Sequence, residues 1–211
     1  MPNAEIGPGE FYPVVGVGPH PKPWPTGDQF DPELLESGDR RNVLDKYRYW
    51  SVAAIVADLN QHRNPLRIAI ENWQHDLNIG SIVRTANAFN VASVHIVGKR
   101  DWNKRGAMVT DRYLEVIHHP DISDFKNWFD QRKIEIIGID NVDSSTPLES
   151  AKLPKECVLI FGQEGAGMSE AAISACSRIL AIAQYGSTRS MNASAAGAIA
   201  MYAWGMQHLP R

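Results

Sequence analysis

The feature that most constrains this chain is a pair of apolar runs in its last third, each opening into a polar loop. Val158–Phe161 leads into Gly162-Gln-Glu-Gly165-Ala-Gly167, and Ile179–Ile182 leads into Gln184-Tyr-Gly-Ser-Thr-Arg-Ser-Met-Asn192. A helix rich in Ala and Gly is expected next, from about Asn192 to Gln207. Two loops leaving neighbouring strands make a ligand crevice, because open α/β sheets bind at the carboxyl ends of their strands. The glycine loop stands late, not after the first strand, which argues against an ordinary dinucleotide-binding fold. Its glycines are not spaced as GxGxxG, and it lacks the Lys-Ser/Thr ending of a phosphate-binding P-loop. A nucleotide-dependent oxidoreductase therefore fails on both spacing and position.

The rest of the chain supplies a sheet for these loops to leave. After Pro65, strands are expected at Arg67–Ile70, Ser93–Val97, Leu114–Ile117, Glu135–Ile139, Val158–Phe161 and Ile179–Ile182. Helices fit Ile79–Phe89, Ser123–Gln131, Ser169–Cys176 and Asn192–Gln207. Strands alternating with helices of about ten residues imply an α/β fold, a mostly parallel sheet flanked by helices on both faces. Residues 1–32 hold eight of the thirteen prolines and read as an extension, since proline removes donors and fixes φ. Phe11, Tyr12 and Trp24 leave room for it to wrap the core or a partner. Residues 33–64 read as a helical segment, the helical pattern running from Arg40 to His62, where Leu44, Tyr47, Ser51, Ala54, Ile55 and Leu59 recur at three and four. The main domain is placed at 65–211.

The totals narrow the classes. The net charge is −3, so a nucleic-acid partner would have to meet a local basic patch. No apolar run approaches the roughly 20 residues that span a bilayer, and no secretory signal pattern opens the chain. Two cysteines, Cys157 and Cys176, give no disulfide or metal framework and read as buried thiols. The expectation is a soluble cytoplasmic protein with no metal.

Three constellations carry chemistry. In Asn78-Ile-Gly-Ser-Ile-Val-Arg84, Asn78 suits a helix N-cap and Arg84 falls within the helix. A surface ion pair explains one such arginine; an arginine reaching a cleft holds a phosphate, which its planar fork matches. In the glycine loop, Glu164 has little local packing to satisfy and points toward a site, although a plain strand-to-helix turn also accounts for the glycines. In Ser190-Met-Asn192-Ala-Ser194, the polar residues either cap the last helix or serve the crevice. That helix is smooth enough for tight sheet packing or a helix–helix dimer contact.

Taken in order, Asn78…Arg84, Phe161-Gly-Gln-Glu164-Gly and Ser190-Met-Asn192-Ala-Ser194 resemble the three motifs of the TrmH-like (SpoU) methyltransferases, members of the SPOUT superfamily of RNA 2′-O-ribose methyltransferases. The resemblance spans about Leu66 to Gln207. It implies a trefoil knot near the C-terminus, S-adenosylmethionine bound in the knotted loops, and a homodimer with its active site at the subunit interface. Carried across by position, Ile139, Gly162, Ile182, Ser190 and Met191 would line the cofactor pocket. Asn78, Arg84, Glu164, Ser190 and Asn192 would form the catalytic site. RNA, either tRNA or rRNA, would be met by Lys99, Arg100, Trp102, Lys104 and Arg105, and by Arg40, Arg41, Lys46 and Arg48, with solvated surface charge the alternative for each group and the stronger one for the second. His118 and His119 show no metal-ligand spacing and receive no role. The competing reading is a non-catalytic RNA-binding or assembly protein that retains the fold.

Overall fold

The computed structural model describes residues 16–73 and 78–210. Phe11 and Tyr12 lie outside the described residues. The chain divides into two compact units, 1–58 and 59–211. No helix among the described residues is long and apolar enough to cross a membrane.

In the first unit the proline-rich stretch is tied down by isolated bridges, Val17 to Asp39 and Phe30 to Trp50. Helix α1 (Pro32–Ser37) starts on an Asp31 cap with proline at its first turn and stops at Gly38, whose φ of 93° suits glycine. The long helix expected from Arg40 to His62 is instead a short 3-10 turn at Asp45–Tyr47 and helix α2 (Val52–Asn60). Tyr49 interrupts it with a left-handed φ of 64°, and its N–H donates to the Asp39 carboxylate at 3.0 Å rather than to a helical carbonyl.

The second unit holds seven parallel strands: β1 (Asn64–Asn72), β2 (Val91–Gly98), β3 (Val116–His119), β4 (Glu135–Ile139), β5 (Thr146–Pro147), β6 (Cys157–Phe161) and β7 (Arg178–Ala181). Their order is β3-β2-β1-β6-β4-β7-β5, and every pairing is parallel. The expected strand at Leu114–Ile117 lies two residues later, and the two-residue β5 carries no pattern a sequence would reveal. Side chains alternate between faces with period two. Leu66, Ile68 and Ile70 join Leu159 and Phe161 in one apolar cluster, whereas Ala69 joins Val158 and Ile160 in the other. A sheet buried on both faces explains why its central strands read as unbroken apolar runs.

Helices α3 (Asn78–Ala88) and α6 (Ala193–His208) contribute to the first cluster, and α4 (Ile122–Arg132) and α5 (Glu170–Ala175) to the second. Glycines on α6 let it lie close to α3. A Cβ at Gly197 would stand 3.3 Å from Ile82, and one at Gly205 would stand 3.1 Å from Phe89. The opposite side of α6 leaves Ala195, Ile199, Tyr202 and Met206 exposed, at helical spacings of four, three and four.

Candidate functional site

The register of the sheet gathers the site. Ile70 and Ile139 both pair with Phe161, and Ile139 also pairs with Leu180, so β1, β6, β4 and β7 finish at nearly one level. The loops beyond β4, β6 and β7 then surround a cleft of about 490 Å³. Ile139, Phe161, Met168 and Ile182 supply apolar lining, while Asp140, Glu164, Gln184 and Arg189 supply the polar part. Ile139, Gly162, Ile182, Ser190 and Met191, expected around one ligand, all border this cleft.

Each loop has a local reason for its shape. The glycine loop is a closed turn: Gln163 and Gly167 exchange both backbone hydrogen bonds, at 3.1 and 3.0 Å. A Cβ at Gly162 would fall 2.1 Å from the carbonyl carbon of Gly167, so only glycine lets the loop fold back. Asp140 fastens the loop's far side, its carboxylate accepting from the Met168 N–H at 2.7 Å. The last loop is pinned to the segment after β4, since Asn141 Nδ2 donates to the Arg189 carbonyl at 2.9 Å. Sequence reading missed Asp140 and Asn141. Their one signal is position, a polar pair directly after an apolar strand.

Asn78, Glu164 and Asn192 form a hydrogen-bonded chain at the rim. Asn78 Nδ2 donates to Glu164 Oε2, and Asn192 Nδ2 donates to Asn78 Oδ1 at 2.8 Å. Asn192 also caps α6, its Oδ1 accepting from the N–H groups of Ser194 and Ala195 at 3.0 and 3.3 Å. The same side chain that caps α6 also borders the cleft. Ser190 is exposed on the cleft wall.

Arg84 does not border the cleft. It lies exposed on α3, and its guanidinium makes no ion pair among the described residues. Gly80, between Asn78 and Arg84, has a requirement the sequence did not reveal. A Cβ there would stand 2.7 to 2.9 Å from backbone atoms of Ala107, Gly106 and Asn103, so Gly80 seats the whole 103–107 segment against α3.

The expected RNA-contacting residues divide into two sorts. Lys99, Arg100 and Arg105 are exposed, and Asn72 Nδ2 holds their loop by donating to the carbonyls of Lys99 and Asp101 at 2.8 and 2.9 Å. Lys104 pairs with Asp111 at 3.0 Å, and Trp102 packs half-buried against the core. In the other unit Arg40 is exposed, but its neighbours are engaged. Arg41 grips the buried Asp39 with two nitrogens at 2.8 and 2.7 Å. Lys46 pairs with Asp58 at 3.0 Å, and Arg48 donates to the Arg41 carbonyl at 2.6 Å. Burial alone would raise the Asp39 carboxyl, but hydrogen bonds from Arg41 and from two backbone N–H groups hold it down at about 2. Burial pushes both thiols, Cys157 and Cys176, up to about 12, which keeps them protonated and unreactive.

Comparison with known proteins adds ancestry to this geometry. The model of the SpoU rRNA Methylase family matches residues 65–202. The chain is 25% identical over 156 residues to the 23S rRNA (guanosine-2′-O-)-methyltransferase RlmB of Coxiella burnetii, covering 71% of this chain and 62% of that protein. It is 24% identical over 153 residues to the tRNA (guanosine(18)-2′-O)-methyltransferase of Escherichia coli, covering 71% and 67%. Similarity to a Synechocystis protein described as an uncharacterized tRNA/rRNA methyltransferase is 27% over 168 residues and covers only 42% of that longer chain. Among solved structures, the TrmH/SpoU tRNA modifying enzyme of A. aeolicus superposes with a TM-score of 0.65 at 21% identity, covering 74% of this chain and 81% of that one. The SpoU methyltransferase AviRb of Streptomyces viridochromogenes, in complex with AdoMet, superposes with a TM-score of 0.61 at 22% identity, covering 71% and 60%.

Proposed function

The chain belongs to the SpoU rRNA methylase family, and from that premise we propose that it methylates a ribose 2′-hydroxyl of tRNA or ribosomal RNA, with S-adenosylmethionine as the donor. The observation that carries this reading is the chain Asn192–Asn78–Glu164 at the rim of a cleft bordered by Ile139, Gly162, Ile182, Ser190 and Met191. The residues present fit the donor. The cleft volume lies in the range of small-ligand sites, its apolar lining suits an adenine ring, and Asp140 and Glu164 suit a cationic group. The bound donor supplies an electrophilic methyl group. The loops after β4, β6 and β7 are those in which the knot implied by the resemblance would be tied.

The protein's own residues position the acceptor. Much of the acceleration in such a transfer comes from alignment. The Asn78 and Asn192 amides fix the Glu164 carboxylate, which orients the ribose or the arginine that meets it. Arginine stays protonated at neutral pH and is a poor base. Arg84 therefore acts as an anchor that holds the phosphate beside the target ribose and stabilises the developing alkoxide. The proton leaves to that phosphate or to water. Because Arg84 is exposed and lies off the cleft of its own chain, the site is completed by a second copy, whose Arg84 meets the first copy's cleft. The exposed stripe Ala195, Ile199, Tyr202 and Met206 on α6 is the surface through which the copies meet. Lys99, Arg100 and Arg105 hold the RNA backbone farther out.

The test uses the purified protein, labelled S-adenosylmethionine, and separate pools of unmodified tRNA and ribosomal RNA, with digestion and mass spectrometry to place the methyl. A 2′-O-methylated nucleotide is expected from one pool, with kcat lowered about 100- to 1000-fold in Arg84→Ala, the usual cost of one transition-state donor. A methyl on a base would overturn the ribose chemistry. RNA binding with neither transfer nor donor binding would establish the non-catalytic alternative.

A further inference from the structure

Tyr185 is the most exposed of the large hydrophobic residues among the described residues, at 96% of its full accessibility. Tyrosine carries a large apolar ring and is usually at least half covered in a folded protein. Its neighbours make the exposure specific. Gln184 and Arg189, at the two ends of the same loop, both border the 490 Å³ cleft, whereas Tyr185 does not. A smaller cleft of about 330 Å³, bordered by Ser145, Pro147, Ala183 and Thr188, shares Asn141, Ile182 and Gln184 with the first and also leaves Tyr185 out.

The loop is built, not slack at its base. The Arg189 carbonyl accepts from Gln184 Nε2 at 3.3 Å, which closes the loop on itself, and from Asn141 Nδ2 at 2.9 Å, which ties it to the segment after β4. Residues 185–190 are all exposed. A Cβ at Gly186 would meet nothing within 4 Å. The result is a short pinned projection at the rim of the cleft, with an aromatic ring at one end and a guanidinium at the other. Arg189 is the one charged residue between Gln184 and Asn192. Its guanidinium makes no ion pair among the described residues.

We infer that Tyr185 is a stacking platform for an unpaired base of the RNA substrate next to the methylated nucleotide, with Arg189 on the phosphate beside it; this rests on the reading under Proposed function. An aromatic face beside a cation is the chemistry that single-stranded nucleic acid recognises, and it tolerates any base because every base offers a π-face. The ring does not border the cleft in which the donor would sit. Tyr185 is thus a positioning residue that sets how well a splayed strand is held, not a group that touches the transferring methyl. The substrate it fits is a loop or bulge, not a continuous duplex, whose bases are already stacked.

The test is steady-state kinetics of the full-length protein on whichever RNA pool accepts methyl, for wild type, Tyr185→Ala, Tyr185→Phe and Tyr185→Trp. Tyr185→Ala is expected to raise KM for RNA about tenfold, equivalent to about 1.4 kcal/mol, with kcat within twofold. The Phe and Trp variants are expected within twofold of wild type in both constants. Donor affinity and the melting temperature of Tyr185→Ala should match wild type, since the ring is packed against nothing. The inference is overturned by an unchanged KM in Tyr185→Ala, or by Phe failing as badly as Ala. A parallel loss of donor affinity would make Tyr185 a cofactor contact instead, and a changed oligomeric mass would make it an interface residue. Wild-type protein that methylates neither pool removes the enzymatic reading and this inference with it, whereas active wild type with an unaffected alanine variant removes this inference alone.

Discussion

At the scale of single residues, the most distinctive group outside the cleft is a buried polar line. Ser93 Oγ lies 2.8 Å from His95 Nε2, His95 Nδ1 lies 2.8 Å from His119 Nε2, and His119 Nδ1 lies 2.7 Å from Asp124 Oδ2. Phe125, Trp128 and Phe129 surround the His95 ring. Burial first, and then the charges of His119, Arg67 and Arg132, push the His95 imidazole down to about 2. The sign follows from which state takes the proton. Below about pH 6.5 the unfolded chain protonates His95, while the folded one refuses it until about 2. This contribution to stability is complete above pH 6.5 and declines as pH falls, by up to about 1.4 kcal/mol per unit. Urea unfolding at pH 7 and pH 5.5 should show a loss of about 1 kcal/mol that is absent in His95→Phe; an equal slope in both proteins would assign the loss elsewhere. The sequence placed His118 and His119 side by side but gave no hint of this line. Its members come from two strands and a helix, and no local spacing encodes a contact across a sheet.

At the scale of elements, α6 shows what periodicity reveals and what it leaves open. The Ala/Gly run foretold a smooth helix suited either to internal packing or to a partner. The helix does the first on one side, where Gly197 and Gly205 admit Ile82 and Phe89 of the α3 region, and leaves Ala195, Ile199, Tyr202 and Met206 exposed on the other. That row of exposed apolar residues at helical spacing is the surface proposed above for the meeting of two copies. Sedimentation of wild type at micromolar concentration should give a dimer, and Tyr202→Glu should give a monomer with unchanged helical content. A wild-type monomer would remove α6 as an interface. The segment expected to be one helix from Arg40 was misjudged for a definable reason. Its apolar positions do recur at three and four, but Asp39 draws off the Tyr49 N–H and the Arg41 side chain, and a left-handed Tyr49 breaks the helix. A buried carboxylate can redirect a backbone that propensity alone would coil.

At the scale of the whole molecule, the parallel sheet and two of the three loops over its carboxyl ends were legible, because those rest on local signals: apolar runs, glycines, and polar residues after strands. What pins the loops together was not, since Asp140 reaches Met168 and Asn141 reaches Arg189 across 28 and 48 positions of sequence. Electrostatics follows the same division. A net charge of −3 supplies no general attraction for RNA, so the proposed affinity would come from a few placed cations. Of those foreseen in the second unit, Lys99, Arg100 and Arg105 remain exposed while Lys104 is paired. The slope of log affinity against log salt should become shallower by about 1 in Lys99→Ala and again in Arg100→Ala, and an unchanged slope would place that residue off the RNA. One further consequence lies in Asn192. Its oxygen sets where α6 begins, and its nitrogen holds Asn78, which in turn holds Glu164. The angular setting of α6 and the seat of that carboxylate are therefore one mechanical variable. Whatever coupling free energy a helix steadied from outside lends to the carboxylate, a ligand captured by the carboxylate lends back to the helix.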